Sequence, residues 1–443
     1  MDYFKKEVET ISEEGLRAVQ NEKLKWLVNH CYEDVPYYKQ LFDQNGLKPQ
    51  DIRTVDDLVK IPITRKTSIK STYPFGLLGV PLSKVERLQS TSGTTSVPYP
   101  LAYTKEDVLT LQEQVARAMF GFGVRPGDLV YQSYGYGTFL GGISVDLGCR
   151  GIGATLFPAG PGRTALAIHW LRDLKPKAIS CTPSFARHLA TYAQERGLDP
   201  KKDWAHLKIG MFGGEAAAPA VRKKVREAMT DNFMYHEFYG TSELFGNSIA
   251  TSCEYSCGNS ELHVMADHFY LELIDPETGK RIEPGEDKEG ELVFTSLSKV
   301  ASPMLRWGTH DLTRYSRNAL GCECGRVAHP IIRALTGRGD DALKVRGALV
   351  FPSEIEDVVT KVEGTGDGWQ IVIGNSDKES LQELVIQVEV AAKHKDDLDK
   401  RALIKKYIED DVYGRFSLRP VVQIMDPGAL PRYESKSVRV VKD

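Results

Sequence analysis

The sequence predicts a large α/β domain with mixed sheets over residues 1–337 and a small α+β domain over residues 338–443. Three patterns favour this division. Between residues 105 and 250, short apolar or β-branched runs alternate with helix-like stretches, which is typical of an α/β layer on a largely parallel sheet. Between residues 268 and 296, residues alternate at period two around a turn-rich segment, which indicates a β-hairpin or meander. After Gly337 the chain becomes a short mixed unit of strands and one helix.

The individual elements follow from local patterns. In the segment from Trp26 to Phe42, apolar residues recur at helical spacing and Pro36 interrupts the run, so we expect helices with a break at the proline. Parallel strands of the large domain are predicted at residues 129–131, 154–157 and 209–212. The elements predicted for the small domain are strands at residues 369–373, 384–390 and 421–424 and a helix at residues 398–412.

The composition is that of an ordinary globular protein. Of 443 residues 41% are hydrophobic, and 57 Lys and Arg against 60 Asp and Glu leave a formal net charge of -3. Because nucleic-acid and membrane-surface binding lean on a positive excess, neither partner is expected. No apolar run reaches the roughly 18 to 20 residues of a membrane span, and no secretory signal is recognised. Seven cysteines, an odd number, fit a reducing compartment, so a cytoplasmic location is expected.

The densest chemical signal is a hydroxyl-rich loop with one glycine. Hydroxyls and backbone N–H groups on such a loop can surround phosphate oxygens without a large side chain intervening. The spacing is not that of a P-loop, and a surface turn rich in Ser and Thr explains the composition equally well. The candidate phosphate-binding residues are Ser90, Thr91, Ser92, Gly93, Thr94 and Thr95.

Three further clusters carry groups that nucleotides need. Glycines after an apolar run let a planar base approach the backbone, a carboxylate beside hydroxyls is a typical Mg²⁺ anchor, and Asp suits the two hydroxyls of a ribose. Taken alone, the glycine cluster is more often a plain strand-to-helix turn, the hydroxyl and carboxylate cluster is equally well explained as a solvated turn, and charged clusters are most often solvated loops. The candidates are Gly213, Gly214 and Glu215, then Tyr239, Gly240, Thr241 and Glu243, and then Asp311 and Arg338.

Four of the seven cysteines lie in two tight pairs, which indicates a metal site. Cys253 and Cys257 are separated by three residues, His263 follows, and Cys322 and Cys324 flank a single glutamate. Four thiolates, or three with an imidazole, complete a tetrahedral Zn²⁺ shell. No ligand stands beside the phosphate motifs, so the zinc is expected to be structural. Paired buried thiols without a metal are the alternative.

The order of these motifs resembles the phenylacetate-CoA ligase family of the adenylate-forming acyl-CoA synthetase superfamily. The resemblance covers the chain from about residue 20 to the C-terminus. It is carried by the segments HFYLELIDPE, GELVFTSL, HDLTRY, GRGDDALKVRGALVFPSEIE and LPRYESKSVRV. The resemblance implies the adenylate-forming enzyme fold, with a small C-terminal domain that rotates between two half-reactions. Zinc-containing members carry a comparable set of cysteines and a histidine, which favours His263 over Cys257.

The implied activity is that of an ATP-dependent ligase. The enzyme would activate an aryl or arylacetic acid as an acyl-adenylate and transfer the acyl group to CoA, with release of AMP and pyrophosphate. ATP, Mg²⁺, CoA and the acid would be its small-molecule partners, and a homodimer is retained as a candidate assembly. The alternatives are transfer to an amine or a carrier protein, and a non-catalytic nucleotide-binding protein.

The resemblance also assigns roles to single residues. The hydroxyl-rich loop would hold the β- and γ-phosphates, and Glu243 would hold the Mg²⁺. Lys436 would stabilise the charge that grows on the α-phosphate during adenylation, and Asp340 matches the hinge position. Adenine would lie against Tyr239 and against the strand end at Gly213 and Gly214, and the ribose would bind Asp311.

A further segment, YQSYGYGTFLGG at residues 131–142, matches the part of the family that lines the acyl pocket. Its tyrosines offer flat faces to an aromatic ring, although ordinary core aromatics have the same pattern. The candidate residues for the acid are Tyr134, Tyr136 and Gly213.

Two segments depart from the family pattern. The phosphate loop of the family reads TSGTTGKP, whereas Ser96 and Val97 replace the second glycine and the lysine here. The segment RYRTRDLT is RWGTHDLT here, in which His310 replaces the cation next to Asp311.

Overall fold

The protein is described by a computed structural model. It covers residues 2–91, 98–138, 140–215, 217–259, 261–317, 321–339, 343–345, 348–375, 382–416, 418–431 and 439–442. Six of the predicted site residues lie outside the described residues, and their roles stay predictions: Ser92, Gly93, Thr94, Thr95, Asp340 and Lys436.

Capping residues or prolines mark the start of several helices. Ser12 caps the second helix through its side chain, and Pro36 begins the third, so the break expected at Pro36 is confirmed. The helices are α1 Lys6–Glu9, α2 Glu13–Asp34, α3 Pro36–Gln44, α4 Lys66–Ile69, α5 Lys105–Gly121, α6 Gly141–Ile152, α7 Thr164–Leu174, α8 Pro183–Glu195, α9 Pro200–Asp203, α10 Pro219–Ala228, α11 Pro352–Lys361 and α12 Leu398–Phe416.

Strands occur at all the positions that the apolar runs predicted. Those of the large domain are β1 Val85–Ser90, β2 Pro100–Thr104, β3 Leu129–Gln132, β4 Thr155–Pro158, β5 Ala178–Cys181, β6 Ile209–Phe212, β7 Met234–Thr241, β8 Gly246–Thr251, β9 Glu261–Val264, β10 Phe269–Ile274, β11 Arg281–Ile282, β12 Gly290–Ser296, β13 Trp307–Thr313, β14 Ile331–Arg333 and β15 Gly337–Arg338. Those that follow are β16 Leu343–Val345, β17 Ala348–Val350, β18 Thr365–Asn375, β19 Gln382–Val390, β20 Val421–Met425 and β21 Val440–Lys442.

The largest sheet in the described residues has the order β14-β9-β8-β7-β6-β5-β3-β4. From β4 to β7 the strands run parallel, and from β7 to β14 they run antiparallel. The mixed sheet predicted for the large domain is thereby confirmed. The carboxyl ends of β5 and β6 lie side by side, and ligands bind at such strand ends in open α/β sheets.

A second sheet has the order β11-β10-β12-β13-β15 and is antiparallel throughout. Strands β10 and β12 form the hairpin predicted from period two, with Phe269 opposite Ser296. Arg338 still pairs with Asp311 across this sheet, and the Gly339 N–H donates to the carbonyl of His310. Residues 337–339 are therefore hydrogen-bonded to β13 of this sheet.

The small domain folds around a sheet of order β20-β19-β18-β21. Helices α11 and α12 contribute Ile355, Val358 and Ile404 to a core that also contains Trp369 of β18. Strand β21 joins the sheet parallel to β18, which the short polar C-terminal segment did not predict. None of the helices in the described part of the chain combines the length and apolar character that a membrane crossing needs.

Candidate active site

The hairpin of β1 and β2 carries the hydroxyl-rich loop at its tip. The Thr91 N–H donates to the carbonyl of Tyr99 over 3.1 Å, and the Tyr99 N–H donates to Oγ1 of Thr91 over 3.0 Å. The Ser90 N–H donates to the carbonyl of Thr138 over 2.9 Å. The base of the loop is thus fixed to the aromatic segment 131–142.

The glycine motif lies at the carboxyl end of β6. The hydroxyl of Tyr134 donates to the carbonyl of Cys181 at 2.5 Å and to that of Gly213 at 3.1 Å. It therefore bridges the ends of two parallel strands. A Cβ on Gly213 would lie 3.2 Å from the carbonyl oxygen of Phe238, and Gly214 adopts φ +79°. A side chain at Gly213 would crowd this carbonyl, and the positive φ of Gly214 favours glycine, so both positions leave backbone open to a flat ligand.

Helix α8 of the large domain lies between this strand end and the small domain. Glu215 accepts a hydrogen bond of 2.9 Å from the hydroxyl of Ser184 near the start of that helix. Arg187, one turn later, places Nε 3.0 Å from Oδ1 of Asp367 and donates to the carbonyl of Asp367 over 2.9 Å. Helix α8 thus connects the glycine motif to β18 of the small domain.

Three residues from distant segments meet at the predicted ribose site. The hydroxyl of Tyr239 donates to Oδ2 of Asp311 at 2.8 Å, and Nη1 of Arg338 lies 3.3 Å from Oδ1. Burial, and then the charge of Asp311, raise the pKa of the Tyr239 phenol, so it stays protonated as a donor. Since a carboxylate offers about four acceptor sites, Asp311 has further capacity for ligand hydroxyls.

Asp311 is presented by a bulge between β12 and β13. The register passes from the pair Val293 and Gly308 to the pair Glu291 and Leu312, so three residues of β13 stand opposite one of β12. Within the bulge His310 adopts φ +63°, a strained conformation for a residue other than glycine. Strain of this kind is typical of ligand-binding positions.

An ion pair holds the bulge in place. The carboxylate of Glu291 accepts a hydrogen bond of 2.9 Å from the N–H of His310 and pairs with both terminal nitrogens of Arg65. A Cβ on Gly308 would lie 2.3 Å from Nη1 of Arg65, so Gly308 leaves room for the guanidinium. Arg65 therefore supplies a cation to the segment in which RYRTRDLT has become RWGTHDLT.

The predicted Mg²⁺ anchor lies on the short 3₁₀ turn Ser242–Leu244. Glu243 is buried, and within the described residues its carboxylate accepts no hydrogen bond. The hydroxyl of Thr241 is likewise buried without a partner in the described part of the chain. A carboxylate and a hydroxyl that await partners fit a hard cation. Lys299 donates to the carbonyl of Glu243 over 2.8 Å, and burial lowers the pKa of this lysine to about 8.

Gly240 lies where two neighbouring strands come close together. A Cβ on Gly240 would lie 1.7 Å from the carbonyl oxygen of Gly246, so only glycine lets β7 and β8 approach here.

The two tyrosines of the aromatic segment differ in exposure. Tyr136 is 41% exposed, whereas Tyr134 is half-buried beneath the strand ends. The exposed ring of Tyr136 is accessible to a ligand, whereas the hydroxyl of Tyr134 is hydrogen-bonded to the strand ends.

Four of the five candidate metal ligands converge. The donor atoms of Cys253, His263, Cys322 and Cys324 all lie within 4.8 Å of one another. The sulfurs of Cys253 and Cys322 are 3.7 Å apart, and the sulfur of Cys324 is 3.5 Å from Nε2 of His263. Tetrahedral zinc bonds require about 3.8 Å and about 3.6 Å for such pairs. The set fits zinc, and Cys257 is not part of it.

Sequence reasoning missed Lys299, Arg65 and Arg187. A lone lysine between Ser298 and Val300 is indistinguishable in sequence from a solvated one, and ion pairs across long separations leave no local pattern. The family segment RYRTRDLT has two more arginines than RWGTHDLT of this chain. This difference was a signal that a cation from elsewhere, here Arg65, was needed.

Comparison with known proteins identifies the family of this chain. The AMP-binding enzyme family matches residues 87–301, and the AMP-binding enzyme C-terminal domain matches residues 347–443. The phenylacetate-coenzyme A ligase of Thermus thermophilus is 36% identical, with 99% of each chain covered.

Crystal structures of 2-hydroxyisobutyryl-CoA ligase, at 26% identity, cover the whole chain and 92% of that enzyme. The TM-score is 0.87 for its postadenylation state with an acyl-AMP and 0.71 for its thioesterification state with CoA. The domain arrangement described here is thus more similar to the postadenylation state. With one relative matched over 99% of both chains, the chain belongs to the phenylacetate-CoA ligase family of AMP-binding enzymes.

Proposed function

We propose that this chain activates an aryl or arylacetic acid. As a member of its family it is an ATP-dependent, AMP-forming ligase that joins a carboxylic acid to CoA through an acyl-adenylate. The aromatic class is supported by the relatives that are phenylacetate-coenzyme A ligases and by Tyr134, whose hydroxyl donates to the carbonyl of Gly213 in the glycine motif. The observation that carries the nucleotide assignment is the contact of the buried Asp311 carboxylate with the buried Tyr239 hydroxyl and the partly exposed Arg338 guanidinium.

The reaction consists of two displacements. In the first, a carboxylate oxygen of the acid bonds to the α-phosphorus of ATP and the bond to pyrophosphate breaks. In the second, the CoA sulfur bonds to the acyl carbon and AMP leaves with the electron pair. Asp311 would accept the ribose hydroxyls in both steps, while Gly213 and Gly214 would leave room for adenine. Lys436 would meet the charge that develops on the α-phosphate.

Mg²⁺ is proposed to bind at Glu243. At this turn the Glu243 carboxylate accepts no hydrogen bond from a described residue, and the buried Thr241 hydroxyl likewise has no described partner. When bound, Mg²⁺ would neutralise phosphate charge as pyrophosphate departs. The hydroxyl-rich loop, whose base at Ser90 and Thr91 is fixed, would cover the β- and γ-phosphates.

The division at residue 337, the hinge at Asp340, the cytoplasmic location and the homodimer remain proposals. A reducing compartment is supported by the seven cysteines, all unpaired as disulfides.

The test of the function is an acceptor assay with a series of acids. We expect purified protein, ATP, Mg²⁺ and CoA to give an acyl-CoA fastest with arylacetic acids, as measured by mass spectrometry. Parallel reactions would contain a primary amine in place of CoA. Acyl-amide formation without acyl-CoA, or a preference for short aliphatic acids, would contradict the proposal.

Replacing Tyr136 by alanine is expected to impair use of the acid. Loss of one aromatic contact predicts a rise of roughly tenfold in KM for the acid with KM for ATP unchanged, because the residue lies outside every nucleotide motif. Steady-state kinetics with each substrate varied would measure both constants. Tyr73→Ala, at an exposed tyrosine of another segment, is the control. A selective rise in KM for ATP would contradict the assignment of Tyr136 to the acid site.

A structural zinc ion is proposed at Cys253, His263, Cys322 and Cys324. Cys253 follows β8, which begins just after the Glu243 turn, and the cysteine pair lies after β13, which carries Asp311. A metal there would clamp the two segments that hold Mg²⁺ and ribose. His263 reaches the group from β9, where it is paired with Thr251.

Elemental analysis is expected to find about one zinc per chain. Cys324→Ser should lose the metal and lower Tm by roughly 5 °C or more, since structural zinc contributes its binding energy to folding. Cys257→Ser is the matched control and should keep both. Loss of zinc from Cys257→Ser would favour the all-sulfur set, and zinc-free protein with unchanged Tm would leave the cysteines as core thiols.

A further inference from the structure

Lys299 is a fully buried lysine that the reaction scheme does not use. It has no exposed surface, and its ammonium makes one described hydrogen bond, to the carbonyl of Glu243 at 2.8 Å. The rings of Tyr103 and Phe245 lie 4.7 Å and 5.7 Å from its nitrogen. Because burying a cation costs free energy unless partners compensate, an ammonium in this place needs a reason.

The segment that carries Lys299 is rigidly held. The carboxylate of Asp107, in the first turn of α5, accepts hydrogen bonds from the N–H groups of Val300 at 2.7 Å and Ala301 at 3.0 Å. The hydroxyl of Ser302 accepts from the N–H of Ala102 on β2 at 3.0 Å. The lysine therefore projects from a backbone fixed to both α5 and β2.

The turn that Lys299 reaches is strained. Phe245, which follows the turn directly, adopts φ +67° although it is not glycine. The ammonium donates to the carbonyl of Glu243 and faces the ring of Phe245. Lys299 therefore contacts both the turn and the strained residue that follows it. The carboxylate of Glu243 remains available for a cation.

The same contacts link the turn to the phosphate-binding hairpin. Tyr103 lies on β2, the strand that returns from the hydroxyl-rich loop, and its hydroxyl donates to the carbonyl of Ser242 at 3.0 Å. Lys299 lies over the ring of the same tyrosine. A metal that bridges Glu243 and ATP phosphates needs these two segments at a constant separation.

We propose that Lys299 is a positioning residue that fixes the Glu243 turn against the phosphate-binding hairpin, so that divalent cation and triphosphate bind together. The proposal rests on the proposed Mg²⁺ role of Glu243. It assigns Lys299 no contact with substrate. Its effect is exerted through the backbone of the turn, which Lys299 holds by a hydrogen bond to Glu243 and a contact with the ring of Phe245, while its contact with the ring of Tyr103 connects it to β2.

The test compares Lys299→Met with Lys23→Met. Lys23 is also largely buried and donates to the carbonyl of Asp267 at 2.6 Å and to Ser298, but it does not touch the turn. Titration calorimetry would measure Mn²⁺ binding to each folded variant with a non-hydrolysable ATP analogue, and Tm would report stability. We expect Lys299→Met to weaken Mn²⁺ binding about tenfold and Lys23→Met to leave it unchanged.

Equal Mn²⁺ affinity in the two lysine variants would overturn the proposal, whatever their Tm. If Lys299→Met does not fold, Tyr103→Phe serves instead, since it removes only the hydroxyl that holds Ser242 and should weaken Mn²⁺ binding severalfold. Unchanged affinity there would also overturn it. Glu243→Gln separates the two assignments, because Mn²⁺ binding that survives this substitution would refute the Mg²⁺ role itself.

Discussion

Asp311→Ala is expected to lower kcat/KM for ATP in adenylation by roughly 10²- to 10⁴-fold. Two hydroxyl hydrogen bonds to a carboxylate contribute about 1.5 to 3 kcal/mol each, and about 1.4 kcal/mol corresponds to tenfold. The substitution also leaves the buried Tyr239 hydroxyl and the Arg338 guanidinium without their carboxylate. Acid-dependent pyrophosphate release, with ATP varied, measures the effect.

Tyr239→Phe is the matched control for Asp311→Ala. It keeps the ring that would face adenine and the carboxylate that would bind ribose, and removes one donor, so a loss of about tenfold or less is expected. Thermal melting of both variants would separate misfolding from lost binding. A folded Asp311→Ala protein with an unchanged ATP constant would contradict the ribose assignment.

Lys436→Ala is expected to slow adenylation by roughly 10²- to 10³-fold, as removal of a single transition-state donor does. Thioester formation from presynthesised acyl-adenylate should survive, because the α-phosphate charge no longer grows in that step. Single-turnover measurements of the two half-reactions give the comparison. Lys393→Ala, at an exposed lysine of the same domain, is the control. An equal fall in both half-reactions would refute the role.

Much of the fold could be predicted because the parallel strands of the central sheet are short apolar or β-branched runs. The runs at 129–131, 154–157 and 209–212 each became a strand of the central sheet. The antiparallel pair of β10 and β12 could be predicted equally well, since residues on each strand alternate at period two in the sequence. Strand β21 could not be predicted, because a short C-terminal segment with one lysine has no such signature and gains its place only by pairing with β18.

The site was predictable in its residues more than in its arrangement. Spacing could not choose between Cys257 and His263, and the fold favours His263 because β9 brings it beside the end of β8. The bulge at His310 depends on Arg65, which lies far away in sequence. The burial of Lys299 depends on Asp107 and on β2, so no local pattern contains it.

The most direct measurement of the central claim is exchange of labelled pyrophosphate into ATP without CoA. The reaction would contain folded, zinc-replete protein, Mg²⁺, ATP and either an arylacetic acid or none. Adenylation is reversible in this assay, so label should enter ATP when the acid is present and should not enter when it is left out. Exchange that does not depend on the acid, or no exchange with any acid of the series, would contradict the account.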